Sequence, residues 1–272
     1  MGDGTETKFC PQCGEPVSKT ETKEIPKRSK DKSHKSKVKT ILLTSLAVVL
    51  AVGGGYVATH AKCRVVVRED GRCYVESGLF EKKQDVKSLK VPKGTRSIGG
   101  SAFLGCSSLS SVGLPESLTS IGDSAFYVCR SLSSVSFPEG LTSIGNSAFY
   151  GCSSLSSVSL PEGLTSIGKQ AFCECSSLSG VSLPEGLTSI GNWAFEGCSS
   201  LSNVNLPEGL TSIGESAFAG CSSLTSIDLP KSVTSIESDA FRNSGLEEIT
   251  MTKKQAKDFQ DRIPNGVVIH TY

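Results

Sequence analysis

From Phe80 to Phe241 the apolar positions of this chain recur every 23 residues, without a slip. The stretch FPEGLTSIGNSAFYGCSSLSSVS, residues 137–159, is one unit. Phenylalanine returns at Phe80, Phe103, Phe126, Phe149, Phe172, Phe195, Phe218 and Phe241, and leucine at Leu109, Leu132, Leu155, Leu178, Leu201 and Leu224. Proline keeps the same step from Pro92 to Pro230, and cysteine keeps it through Cys106, Cys129, Cys152, Cys175, Cys198 and Cys221. Inside the unit, LSSVSLP alternates apolar residues with serines and ends on proline, which predicts a short strand. GLTSIG predicts a second short extended segment bounded by glycines, and SAFYGCSSL a tight bend or short helical turn. That bend turns Ala171, Phe172 and Cys175 inward.

One unit offers about seven apolar side chains, for example Leu155, Val158, Leu160, Leu164, Ile167, Ala171 and Phe172. They are too few to offset the ordering of 23 residues alone, so successive units must stack and share their apolar faces. The predicted fold is a β-rich, right-handed solenoid of 23-residue coils, with parallel strands about 4.8 Å apart along its axis. In such a stack cysteine serves as a small buried hydrophobe lying on its own copy in the next coil. A ladder of disulfides is disfavoured, because equivalent side chains in parallel coils point the same way rather than toward each other. Cys173 takes the place of Tyr150 and Glu196 at a position that varies between units, so it is expected on the surface.

The unit resembles the BspA-type leucine-rich repeats of bacterial surface proteins, over Phe80 to about Met251. The resemblance implies an extracellular, non-catalytic solenoid of the kind associated with attachment to host or neighbouring-cell proteins. Departures lie at the ends, where Lys83 and Ser244 replace the cysteine. Polar ends are what terminal repeats need.

The flanks change the picture further. CRVVVREDGRCYV carries alternating β-formers around Asp70-Gly71, a hairpin signal, and the register expected places Arg68 opposite Cys73 and Cys63 near Gly78. KKQAKDFQDRI spaces Ala256, Phe259 and Ile263 along one helical face, and VVIHTY adds a final strand. Ahead of the repeats, Ile41 to Ala61 holds no Asp, Glu, Lys or Arg, and its length matches the roughly 20 residues of a transmembrane helix. Seven Lys/Arg between Lys27 and Lys39 place the N-terminus in the cytoplasm and the repeats outside. A signal anchor is favoured over a cleaved signal peptide ending near Ala61, because a basic leader carrying its own cysteine motif is unusual for the latter. The domains expected are a knuckle over 1–18, a basic disordered linker over 19–39, a membrane helix over 40–61, a cap hairpin over 62–79, repeats over 80–251 and a C-terminal cap over 252–272.

Charge follows this division. Residues 92–245 carry six Lys/Arg against twelve Asp/Glu, which argues against a nucleic-acid groove. Glu116, Glu139, Glu162, Glu185 and Glu208 each follow the repeated proline. They form either a hydrated turn edge that keeps the solenoid soluble or an acidic track for a basic partner or loosely held cations. Enzyme chemistry lacks its parts: His34, His60 and His270 all lie outside the repeats, so the many serines have no histidine to activate them. FCPQCGEPV, with Cys10 and Cys13, looks like one knuckle of a zinc ribbon. Zinc needs four ligands. The readings are a zinc shared between two chains, which would make a dimer, a degenerate relic, or a truncated ribbon.

The functional expectation is a single-pass membrane protein that presents an adhesion or protein-binding module outside the cell. The alternative is a membrane signalling protein coupling the solenoid to the cytoplasmic knuckle. The core columns barely change, so a ligand must read the positions that do. Strand positions run Ser133-Ser134, Ser156-Ser157, Ser179-Gly180, Ser202-Asn203, Thr225-Ser226 and Glu247-Glu248, small and polar for the most part. Bend positions include Tyr127, Tyr150, Lys169, Trp193 and Arg242. Tyrosine and tryptophan dominate interface energetics, so the unidentified protein partner is expected on the bend edge.

Overall fold

The structure, a computed structural model, describes residues 87–91 and 93–272 in full. Ahead of them it gives the backbone of five short strands, Lys8–Phe9, Pro16–Val17, Lys39–Thr40, Val65–Val67 and Cys73–Val75. Cys10, Cys13, Cys63, Phe80, Lys83 and the apolar run from Ile41 to Ala61 lie outside the described residues. Among the described residues no helix is long and apolar enough to cross a membrane.

Each coil contributes two strands at the places its alternation marks. Ser157–Ser159 pairs in parallel with Gly180–Ser182, and Gly180–Val181 with Asn203–Val204, building a serine-rich sheet. Ser166–Ile167, Ser189–Ile190, Ser212–Ile213 and Ser235–Ile236 build the second, isoleucine-bearing sheet. Pairing falls in register at every 23rd residue, because slipping by one would turn Val158 or Ile167 out of the core. Between the two strands Pro-Glu-Gly-Leu makes a tight turn, with the Leu164 N–H donating to the Pro161 carbonyl at 3.0 Å.

The bend returns the chain to the serine sheet and is laddered too. The N–H groups of Ser124, Phe126 and Val128 donate to the carbonyls of Asn146, Ala148 and Tyr150 in the next coil. Its geometry requires a left-handed residue at two places per coil. The first is held by Ser147, Gln170 or Trp193 and the second by Gly151, Val128 or Glu174 in different coils. At the end of the isoleucine strand the coils approach so closely that a Cβ on Gly145 would lie 2.6 Å from the Asp123 nitrogen.

Between the sheets and the bend runs one continuous core. Phe103 to Phe241 are fully buried and stack ring on ring, with centroids 5.0 Å apart at Phe103–Phe126 and 5.8 Å at Phe218–Phe241. The cysteine column, Cys106 to Cys221, is buried beside them, in line with the sequence expectation. Sulfur also does something a methyl group would not. The thiol of Cys152 donates to the carbonyl of Phe126 at 3.2 Å, and Cys129, Cys175, Cys198 and Cys221 repeat that bond to Phe103, Phe149, Phe172 and Phe195. In the last coil Ser244 turns back to the carbonyl of its own Phe241 instead.

Two expectations are corrected. The hairpin pairs Val67 with Cys73, one residue away from the expected partner Arg68, because its connection is centred on Asp70 and has an odd number of residues. Cys173 is buried, only 2% exposed, because the longer side chains on either side of it along the stack close over a short one.

At the C-terminal end Thr252 and Gln255 form a capping box that starts the helix α1, Lys253–Asp258. The Gln255 side-chain amide donates to the carbonyls of Pro230 and Val233, which would otherwise end the stack unpaired. A 3-10 turn at Gln260–Arg262 follows, and Val268–Thr271 then lies parallel to Glu248–Met251 as the last strand of the serine sheet.

Candidate partner-binding edge

A surface for recognition must offer groups that the fold has not already used. Much of the serine sheet's border is used. Ser133, Ser156, Ser179 and Ser202 donate their hydroxyls to the carbonyls of Ser110, Ser133, Ser156 and Ser179, one coil back. Thr142, Thr188 and Thr211 do the same along the second sheet, to Thr119, Thr165 and Thr188. These hydroxyls are structural donors as well as solvated groups. The glutamates after the prolines, Glu116, Glu139, Glu162, Glu185 and Glu208, are all exposed.

The bend edge carries the large variable side chains, and the structure sorts the five expected there into three columns. Tyr127 and Tyr150 occupy equivalent places in neighbouring coils, half-buried, with ring centroids 4.7 Å apart and planes 7° from parallel. Lys169 and Trp193 come from two other columns and meet each other: the Lys169 ammonium lies 4.6 Å from the centre of the indole. Trp193 is half-buried at the corner of the bend, outside the core, in a left-handed conformation with φ of 56°. Arg242 is exposed in the tyrosine column but four coils beyond Tyr150, so it does not join the others.

Between the tyrosine pair and Trp193 the structure adds a group that the sequence reading did not assemble. The tyrosine column continues through Cys173 to Glu196. The Cys173 thiol lies 3.7 Å from a carboxylate oxygen of Glu196. Glu174 leans toward the same coil, its Oε1 only 2.7 Å from where a Cβ on Gly197 would be. Burial pushes the Cys173 thiol up to about 12, and the Glu196 and Glu174 carboxylates reinforce the shift. Burial likewise raises the Tyr150 phenol, helped by Cys173, Tyr127, Glu174 and Glu196. The local field is therefore negative beside an aromatic stack. Writing the coils one above another by 23 would have put Tyr150, Cys173 and Glu196 in one line, which is the signal that was available.

Among the described residues no group of His, Cys, Asp and Glu side chains is arranged to hold a metal ion. Cys10 and Cys13 lie outside the described residues, between the antiparallel partners Lys8 with Val17 and Phe9 with Pro16.

The chain is similar to solved leucine-rich repeat proteins. A protein from Bacteroides ovatus is 27% identical, with a TM-score of 0.55, over 76% of this chain and 58% of that one. The T. pallidum leucine-rich repeat protein is 25% identical, with a TM-score of 0.58, over 76% of this chain and 96% of that one. This chain thus spans little more than half the length of the first and nearly all of the second. No match is found among curated proteins. The family model described as the BspA type leucine rich repeat region matches residues 74–176 and 142–263 in six copies. With the period, the parallel coils and the buried phenylalanine and cysteine columns all in place across that range, the chain belongs to the BspA type leucine-rich repeat family.

Proposed function

We infer that this protein is a surface-displayed binding or adhesion module, held to the membrane through Ile41–Ala61, and that a protein partner docks on the bend edge. One observation carries the docking site. The strand borders spend their hydroxyls on coil-to-coil bonds, whereas Tyr127, Tyr150, Lys169 and Trp193 are presented together over a few neighbouring coils. A binding scaffold is also what the repeat family suggests, and the serines of the repeats have no histidine among them.

Residues 19–39 would lie against anionic lipid heads on the cytoplasmic side. The Cys10–Cys13 knuckle would take part in holding a zinc ion shared between two chains, since one pair of thiolates fills only half a tetrahedral site. Zinc content of the purified chain, at half an equivalent with loss on Cys10→Ser, would support this.

The anchor has a direct competitor. A span would hold Thr40 and Val65 on opposite sides of roughly 30 Å of hydrocarbon, yet Lys39–Thr40 pairs antiparallel with Val66–Val67. Alkaline carbonate extraction of membranes separates the two, since only a spanning chain resists it, and protease shaving of intact cells tests the side: repeats that resist digestion until the cells are broken refute the outside location. For the docking edge, a photo-crosslinking residue placed at position 193 should capture a partner protein, and one at position 157 should not. Once that partner is known, Trp193→Ala should weaken binding by about 2 kcal/mol or more, and Ser157→Ala should scarcely matter. The reverse ranking refutes the bend edge.

A further inference from the structure

The last strand of the serine sheet is an edge, and its sequence does nothing to blunt it. Val268–Thr271 pairs in parallel with Glu248–Met251 on one side, and among the described residues no strand lies on the other. Exposed edges are commonly guarded by lysine, proline or a bulge. Val-Ile-His-Thr has neither residue and pairs without a register shift. The core column that passes through Ile227 and Ile249 ends on Ile269, which is 38% exposed although its two predecessors are buried. Among the described residues the exposed large apolar side chains are Val268, Ile269 and Tyr272, all at this end of the stack. Tyr272 leans back on its own chain, its hydroxyl donating to the Leu229 carbonyl at 3.2 Å.

The geometry points to a second copy of this chain as what covers the edge, its own Val268–Thr271 laid antiparallel across a two-fold axis. The backbone sets the register. The Val268 and Tyr272 N–H groups donate to the Glu247 and Met251 carbonyls at 2.8 and 3.3 Å. With the alternation of a parallel ladder, Ile269 and Thr271 then turn their N–H and C=O groups to the open side. An antiparallel pair centred on His270 sets Ile269 opposite Thr271 of the other copy, and Thr271 opposite its Ile269. Each of these pairs exchanges two bonds, so every edge-facing group of the strand is satisfied. Centring on Ile269 would instead oppose Thr271 to Val267, whose N–H is already given to the Pro264 carbonyl. Charge permits the approach at this end. Residues 246–272 carry four Lys/Arg against four Asp/Glu, whereas residues 92–245 carry six against twelve and repel their own copies. A two-fold pair also closes, so it stops at two chains instead of running on as a fibre. The inference is independent of the bend edge and of the membrane anchor, neither of which involves this strand.

Sedimentation of the full chain tests it, in mild detergent with EDTA so that neither the apolar segment nor a shared zinc joins chains. An equilibrium between monomer and dimer should appear as concentration rises. Thr271→Pro removes an edge-facing N–H that the chain's own ladder does not use. It should weaken pairing at least tenfold and leave circular dichroism and the urea midpoint unchanged. Ile269→Lys, which charges the inner side of the edge, should do the same. His270→Cys puts one thiol on each side of the axis, at a pair whose Cα atoms lie about 4.5 Å apart, within reach of a disulfide. Mild oxidation should join two chains through that position, read by peptide mapping, and Val268→Cys, which faces position 272 of the other copy, should not. A monomer at every concentration, an assembly that grows beyond two chains, or a dimer untouched by Thr271→Pro overturns the proposal. So does cross-linking through position 268 in preference to 270.

Discussion

Raising the pH should unfold this solenoid abruptly, and the cysteine column is the reason. Burial raises the thiols of Cys152, Cys175 and Cys198 well above the ordinary value of 9.0, and it lifts Cys173 and Cys221 to about 12. Between pH 9 and about 12 the unfolded chain therefore holds fewer protons than the folded one, and stability falls as pH rises. Below pH 8 both states keep their thiols protonated and the effect vanishes. At pH 10 each unfolded thiol gains about 1.4 kcal/mol by ionising, which its buried counterpart forgoes. Five of them together remove about 7 kcal/mol, the same order as the whole stability of a typical domain. Urea midpoints of the full chain, followed by circular dichroism at pH 8, 9 and 10, would read this directly. Cys152→Ala, Cys175→Ala and Cys198→Ala should each lower stability at pH 8 and each reduce the loss between pH 8 and 10 by about 1.4 kcal/mol. An unchanged midpoint from pH 8 to 10, or an undiminished slope in the triple variant, would refute the argument.

Two further outcomes follow from the core. Phe149→Ala should cost about 5 kcal/mol in the same urea assay, the upper end for such a change, because rings lie on both its faces at 5.1 and 5.4 Å and the laddered backbone cannot collapse into the hole. Phe241→Ala, which removes a ring stacked on one side only, should cost nearer 3 kcal/mol, and a larger loss there than at Phe149 would contradict the stacking account. Thr95→Val should stabilise the protein by about 1 kcal/mol, measured as a rise in thermal midpoint, since its fully buried hydroxyl has no partner and its place in the repeat belongs to leucine in the later coils.

The period alone made the architecture legible, because a 23-residue recurrence of phenylalanine, leucine and proline leaves a stack of coils as the arrangement that buries all of them. The reason for cysteine was only half legible. Its smallness and burial follow from the pattern, but the thiol bond joins residues 26 apart, as from Cys152 to Phe126, and that offset depends on how the bend folds back over the coil beneath. Variability between repeats does not by itself give exposure, and Cys173 is the case in point. A column can vary and still be closed where a short residue falls between Tyr150 and Glu196. At the C-terminus the Thr252–Gln255 capping box was present in the sequence as T-x-x-Q, yet the apolar spacing of Ala256, Phe259 and Ile263 drew attention to a longer helix. The chain leaves helical geometry at Phe259, whose φ and ψ are −112° and 13°, so α1 covers only the last turn of the stack.

The same reasoning explains why the recognition residues are not spread over the surface. A coil is held to its neighbours on both sheets by backbone pairs and by Ser and Thr hydroxyls, and a large side chain in those hydroxyl columns would lose the bond that Ser156 or Thr142 makes. At the bend the ladder runs mainly through backbone groups, from Ser147, Phe149 and Gly151 to Lys169, Ala171 and Cys173, and the Asp123 and Asn146 side chains accept from the Asn146 and Lys169 N–H groups one column earlier. Side chains in the tyrosine column make no such ladder bonds and can differ from coil to coil. Tyr150, Cys173 and Trp193 stand where the backbone does most of the binding of coil to coil. An edge whose ladder rests mostly on the backbone is free to vary in its side chains, which is why Tyr127, Tyr150 and Trp193 stand there.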